Sequence, residues 1–232
     1  MPPRFSADQY IPAGLVKQAM ERRVEVFPRW PLILGVDVGH VNDRSVIMPR
    51  RGKVVLDRVA RIQGMRTTDF ARKIAEEIRF WRGEHGLDPE VIIEAVGMGV
   101  GVVETLEDMG YDRIHGIHPG ANAHDPDLYL NLRSEMWHSM KEWFEDQVAV
   151  PNDPELTEDL AIVNRKPSAT AKLQLESKDE IRRKGHRSPD VADALALTFA
   201  VDFDLLPEKQ TRNAWADPIK QGWGSHEELG WM

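Results

Sequence analysis

The sequence predicts an α/β fold: a mixed β-sheet, an antiparallel meander followed by parallel strands, with helices on both faces. Three observations predict it. Short apolar runs bounded by Pro or Gly, at 32–36 and 91–95, read as strands buried on both faces. The dipeptide Arg51-Gly52 separates two further strand-like runs, as a hairpin turn does. After those runs, strand-like and helix-periodic segments alternate, as βα units do.

The elements follow in order. Residues 1–30 contain one helical piece around 15–23 and read as a lead-in segment. Strands are expected over 32–36, 45–49 and 53–62, the last by its alternation. A helix over 67–82 carries Phe70, Ile74, Ile78 and Trp81 at helical spacing, with Thr67 or Thr68 as N-cap. Residues 91–95 form the next strand, followed by a glycine turn, Gly97-Met98-Gly99-Val100-Gly101, and a helix over 102–109. A strand over 113–117 precedes an amphipathic helix over 131–146 that carries Met136, Trp137, Met140, Trp143 and Phe144. Shorter helices are expected over 155–163 and 178–184. A last one spans 190–203, with Ser188 as N-cap and Pro189 at the first helical position. The pattern decays after 206. The expected organisation is therefore a lead-in at 1–30, a domain at 31–206, and a polar tail at 207–232 carrying Trp215, Trp223 and Trp231.

Composition removes several classes. A chain of 232 residues, 41% apolar and 29% charged, can bury a core, so wholesale disorder, collagen and coiled coil are excluded. The longest apolar runs, such as 194–201, fall well short of the ~20 residues that cross a bilayer, so no membrane span is expected. The opening residues lack a basic start followed by an apolar block, so no secretory leader is expected. The chain has no cysteine, which excludes disulfides, Cys-zinc sites and thiol catalysis and fits a reducing compartment. A net charge of −8 argues against a protein that coats DNA through basic residues. Two local basic groups remain: Arg50, Arg51 and Lys53 at the hairpin, and Lys178, Arg182, Arg183, Lys184 and Arg187.

Four acidic residues fall at element ends. Asp37 lies near the end of the first strand, flanked by glycines, and Glu94 lies at the end of the strand over 91–95. Asp190 and Asp193 stand three apart in the first turn of the last helix, on one face. Each has an ordinary reading. Asp37 can be a turn former, and Asp190 can favour the helix dipole. Glu94 within an apolar run and Asp193 on an apolar helix are harder to place that way, because an acid buried without a partner is costly. Together they match a site for hard divalent cations, Mg²⁺ or Mn²⁺, which take oxygen ligands. Two such ions neutralise clustered carboxylates, activate water and stabilise the departing oxygen of a phosphodiester. No GxxxxGK[ST] phosphate loop is present, and Gly97, Gly99 and Gly101 read as a tight turn before a helix. His118, His124 and His138 read as surface or packing residues.

The segments GVDVG (35–39), VIIEAVGMGVGVVETL (91–106), NLRSEMW (131–137), LESKDEIRRKG (175–185) and SPDVADALALTFA (188–200), in this order, resemble the C-terminal nuclease domain of bacteriophage terminase large subunits. The resemblance covers roughly 31–203. It implies a ribonuclease H-like fold, shared with Holliday-junction resolvases, and a metal-dependent endonuclease that cuts double-stranded concatemeric phage DNA during genome packaging. By the same resemblance, Asp37 and Glu94 match two metal ligands, and the third falls on Asp190 or Asp193. The two basic groups would contact phosphates, which position a duplex without reading its sequence. The implied partners are a packaging ATPase domain or subunit, since this chain carries no ATPase motif, together with the small terminase subunit and the portal protein, in the host cytoplasm. Three alternatives stay open: a resolvase of the same fold, an actin-like sugar kinase or ATPase suggested by the DVG turn, and a non-catalytic module that docks DNA or the portal.

Overall fold

A computed structural model describes residues 9–39, 44–168 and 171–203. The element order is α1 (Ala13–Glu21), β1 (Leu32–Asp37), β2 (Arg44–Arg51), β3 (Val54–Val55), β4 (Ala60–Gln63), α2 (Thr67–His85), β5 (Glu90–Glu94), α3 (Met98–Asp108), β6 (Ile114–Ile117), α4 (Leu132–Glu145), α5 (Pro154–Ile162), β7 (Arg165–Lys166), β8 (Gln174–Leu175), α6 (Lys178–Arg183) and α7 (Asp190–Leu197). The main sheet has the order β3-β2-β1-β5-β6, and β4 also pairs with β2. β1 and β2 are antiparallel, whereas β1, β5 and β6 run parallel. This is the expected mixed sheet.

Both faces of the sheet are covered, which is why β1 and β5 read as unbroken apolar runs. On one face, Phe70, Ile74, Ile78 and Trp81 of α2 and Val102 and Leu106 of α3 pack on Leu32, Leu34, Val36, Val91 and Ile93. On the other, α7 lies against β1 and β2, backed by α4 and α5. Gly35 makes that second contact possible. A Cβ there would overlap the Ala194 carbonyl oxygen of α7 and crowd Thr198. Gly99 has a like role: a Cβ would overlap the Glu94 carbonyl oxygen. The first turn of α3 therefore sits directly on the end of β5. Gly97, at φ +56°, turns the chain into it.

Several boundaries differ from expectation for identifiable reasons. The run 53–62 is two strands, β3 and β4, both on β2. Pro49 accepts the Leu56 N–H at 3.0 Å but has no N–H to return, so the ladder breaks there. The helix expected over 102–109 begins at Met98, inside the glycine turn. Arg66, not a threonine, occupies the N-cap of α2. At α7 the N-cap is Pro189, without a side-chain bond, and regular helix ends at Leu197 rather than running to 203. The turns after it tighten, with Thr198, Phe199 and Ala200 bonding back three residues. The ribbon β7–β8 was not expected; at two residues per strand it carries too little periodicity to read. In the lead-in, Val16 and Ala19 of α1 are buried and α1 packs on α4 and α5. One compact unit runs to Val201. Trp215, Trp223 and Trp231 lie outside the described residues.

No helix among the described residues is long and apolar enough to cross a membrane.

Gly35→Ala forces α7 off β1. Its expected cost is about 2 kcal/mol or more, in the range of overpacked cores. Urea denaturation of this variant against the parent measures the loss, and an unchanged midpoint would show that the β1–α7 approach is not tight.

Candidate active site

The parallel pairing of β1 with β5 places two acids side by side. Val36 is in register with Ile93, so Asp37 and Glu94 are the next residues on neighbouring strands, both at the C-terminal edge of the sheet. α7 runs over that edge, held close by Gly35, and brings Asp193 down onto the pair. Asp37 is 2% exposed and Asp193 5%. Asp190, one turn nearer the helix start, is half-buried and faces the same group.

Lys178, the first residue of α6, reaches into the centre of this arrangement. Its Nζ donates to Asp37 Oδ1 at 2.8 Å and Glu94 Oε2 at 3.0 Å, and lies 3.6 Å from Asp193 Oδ2. Burial opposes the charged ammonium, but Asp37, Asp193 and Glu94 outweigh it and raise the Lys178 pKa above its ordinary value. Burial, with the neighbouring Glu94 and Asp193, holds the Asp37 carboxyl well above the usual carboxylate range despite Lys178. Burial and the facing Asp37 push Asp190 up to about 6. Asp193 goes the other way. Burial disfavours its charge, but Arg133, Lys178 and a bond from Trp137 overcome that and hold its pKa below the ordinary value.

Two residues of α4 account for the difference. Trp137 Nε1 donates to Asp193 Oδ1 at 2.8 Å. The Arg133 guanidinium donates to the same oxygen at 3.2 Å through Nε and lies 3.0 Å from it through Nη2. Asp193 Oδ2 is buried without a hydrogen-bond partner. A third support is Asp159 of α5, fully buried, whose Oδ2 accepts from Val191 N at 2.8 Å and Ala192 N at 3.4 Å. It caps α7 in place of Ser188. Its Oδ1 is 2.9 Å from Arg187, and burial pushes its pKa up to about 7 against the pull of that arginine.

The structure thus brings Asp37, Glu94, Asp190 and Asp193 to one place. It does not bring the hairpin bases there. Arg50 is buried at the opposite end of β1 and β2, donating to Thr198 Oγ1 and Thr198 O at 2.7 Å. Arg51 donates to the Trp30 and Pro28 carbonyls, and Lys53 pairs with Asp146 at 2.7 Å. These three serve the fold at a distance from the acids, and phosphate contact at this site is not retained for them. The second basic group divides. Lys178 is the counter-charge of the acids, Lys184 pairs with Glu176, and Arg187 with Asp159. Arg182 and Arg183 are exposed on α6. Arg183 and Lys166 line a cavity of about 420 Å³ that opens onto Glu94, Lys178 and Asp193. Of the histidines, His138 shares a 2.8 Å bond with the Tyr10 hydroxyl, His124 pairs with Glu135, and His118 accepts from Gly120 N.

Sequence reasoning missed Arg133, Trp137 and Asp159. A signal existed for the first two. They stand four apart in NLRSEMW, on one face of an amphipathic helix, both able to donate from a largely apolar surface. Asp159 gives no such signal, because its partner amides belong to an element thirty residues away.

The oxygen-only donor set suits a hard divalent cation. The orphaned Asp193 Oδ2 and the ammonium already held among three carboxylates fit a cation position as well. No group of three or more side chains already arranged to hold a metal ion is found among the described residues.

No family model matches the sequence, and no curated protein matches it. Solved structures do. The nuclease domain of the large terminase subunit gp2 of bacterial virus Sf6 aligns at a TM-score of 0.66 and 18% identity, over 83% of this chain and 98% of that one. A lysine-to-alanine variant of that Sf6 domain with manganese aligns at 0.65 and 17%, over 83% and 99%. The large terminase nuclease of thermophilic phage G20c with bound magnesium aligns at 0.58 and 17%, over 85% and 98%. The chain shares their fold.

Lys178→Ala leaves Asp37, Glu94 and Asp193 facing one another with Arg133 still beside Asp193. The expected loss is about 3 kcal/mol at pH 8 in metal-free buffer, as when one partner of a buried pair is removed. Carboxylates crowded in this way carry folded-state pKa values above their unfolded ones. The native variant therefore binds extra protons in acid, and its deficit shrinks as the pH falls from 8 towards 5. Paired urea denaturations at the two pH values test this, and a deficit that grows in acid would contradict the counter-charge role.

Proposed function

We propose that this chain is a divalent-metal-dependent endonuclease of the phage DNA-packaging machinery. The observation that carries the reading is the convergence of Asp37, Glu94 and Asp193, from three different elements, around one position already taken by a positive charge. The structural neighbours support it: they are terminase nucleases, solved in some cases with manganese, magnesium or cobalt.

Asp37, Glu94 and Asp193 would hold the ions, with Asp190 at the margin. Two Mg²⁺ or Mn²⁺ ions would supply a water made acidic enough to attack and charge to stabilise the departing oxygen of a phosphodiester. The chain's own residues do the rest. The two strand ends and α7 fix the carboxylates, while Lys178 neutralises them until cations take its place. Arg183 and Lys166, which line the cavity, with Arg182 on the same helix as Arg183, would contact phosphates of double-stranded DNA, an electrostatic term without base information. Asp190, whose pKa burial and Asp37 push up to about 6, would add its carboxyl group at the margin of the site.

The wider setting belongs to the same proposal: concatemeric phage DNA as substrate, and a packaging ATPase, the small terminase subunit and the portal protein as partners, in the host cytoplasm. The domain limits of 31–206 and a docking role for 207–232 belong to it too.

Asp37→Asn is nearly isosteric and removes the carboxylate at the end of β1. It is expected to lower Mn²⁺-dependent cleavage of supercoiled plasmid by about three orders of magnitude, the scale of several kcal/mol of metal-borne charge stabilisation, while circular dichroism stays native. Cleavage at the parent rate would end the nuclease assignment.

A further inference from the structure

Asp193 differs from the other acids in how its two oxygens are used. Oδ1 takes two donors, Trp137 Nε1 at 2.8 Å and Arg133 Nε at 3.2 Å, with Arg133 Nη2 also 3.0 Å away. Oδ2 takes none and is buried. A carboxylate free to rotate would present either oxygen, or both. This one is fixed with one edge committed to protein and the other turned to the cation position.

Arg133 does more than bind Asp193. Its Nη1 donates to the Glu176 carbonyl at 2.8 Å, two residues before Lys178. One guanidinium therefore ties the α7 carboxylate to the segment that carries the competing ammonium. The consequence appears in the distances from Lys178 Nζ: hydrogen bonds to Asp37 and Glu94, but only a 3.6 Å ion pair to Asp193 Oδ2. With Oδ1 engaged on the far side, the carboxylate cannot turn to meet the lysine.

We infer that Arg133 and Trp137 form a positioning clamp that offers Oδ2 alone to a cation and stops Lys178 from closing on it. This rests on the metal-nuclease reading above. Outer partners of metal-binding carboxylates typically hold a 10–100-fold share of metal affinity. Without the clamp, Asp193 is free to turn to a tighter bond with Lys178, which competes with the metal.

The test is Mn²⁺ binding by isothermal titration calorimetry on the full chain without DNA, well below the unfolding temperature. Trp137→Phe keeps the ring in the core and deletes the donor, and Arg133→Met keeps length and deletes the charge. Trp143→Phe is the matched control. It lies on the same helix and loses a 3.0 Å indole bond to the Gly52 carbonyl, at the end of the sheet away from the acids. The expected result is at least about tenfold weaker Mn²⁺ binding for the first two and binding within twofold of the parent for the control, whatever small losses of stability all three share. Arg133→Lys, which restores the charge but not the fork, is expected to recover part of the loss. Parent-like affinity in Trp137→Phe and Arg133→Met, or an equal loss in Trp143→Phe, overturns the clamp alone. A parent chain that binds no Mn²⁺ overturns the metal reading and the clamp with it.

Discussion

Gathering like charges at the edge of a core is the constraint on which the rest of this structure depends. Three carboxylates within reach of one point repel each other, and burial adds a desolvation cost to each. The arrangement holds because a cation stands at that point. In the chain by itself the cation is the Lys178 ammonium, bonded to two of the acids and paired with the third. The fold contributes the closeness. β1 and β5 must be adjacent and parallel for Asp37 and Glu94 to end together. Gly35 must lack a side chain for α7 to lie near enough to add Asp193, and Gly99 for α3 to start where β5 stops. These are sequence features with no catalytic chemistry of their own, and the acidic centre cannot form without them.

Much of this was legible in the sequence. The two buried strands, the amphipathic α2 and α4, and the placement of acids at element ends all follow from periodicity and from apolar runs interrupted by a charge. The acids come together as the parallel-strand reading requires. What was not legible involves pairs of distant residues. The Pro49 break in the third strand depends on which side of β2 faces its partner. The capping of α7 looked local, Ser188 before Pro189, but is supplied by Asp159 from α5. Lys178 read as one of a basic run that would contact phosphates, whereas in space it is the counter-charge of three acids. Arg50, Arg51 and Lys53 looked like a phosphate-binding group because they cluster in sequence. Their donors point back at carbonyls, a hydroxyl and Asp146 of their own surroundings. Clustering in sequence fixes neither the direction of a side chain nor the end of the sheet it occupies.

The supports of the centre are unequal, and the inequality has a functional sense. The acids sit on elements that cannot move without opening the core: β1 and β5 in the middle of the sheet, and α7, in which Val191, Ala192, Ala194, Leu195, Ala196 and Leu197 are all buried. Lys178 sits at the start of a six-residue helix in which Ile181 is the one buried residue. What holds α6 is mostly polar and local: the Ser177–Glu180 capping box, the Lys166–Glu180 pair, and the Lys184–Glu176 pair. Such bonds exchange with water at modest cost, since surface pairs and caps are each worth about a kcal/mol. The removable charge is therefore carried by the cheapest element and the fixed charges by the most expensive ones. On the proposed function, an exchange of ammonium for divalent cations would require only a side chain to swing aside while the carboxylates stay in place. Arg133 stands at the junction of the two, one hand on Asp193 and the other on the Glu176 carbonyl two residues before Lys178.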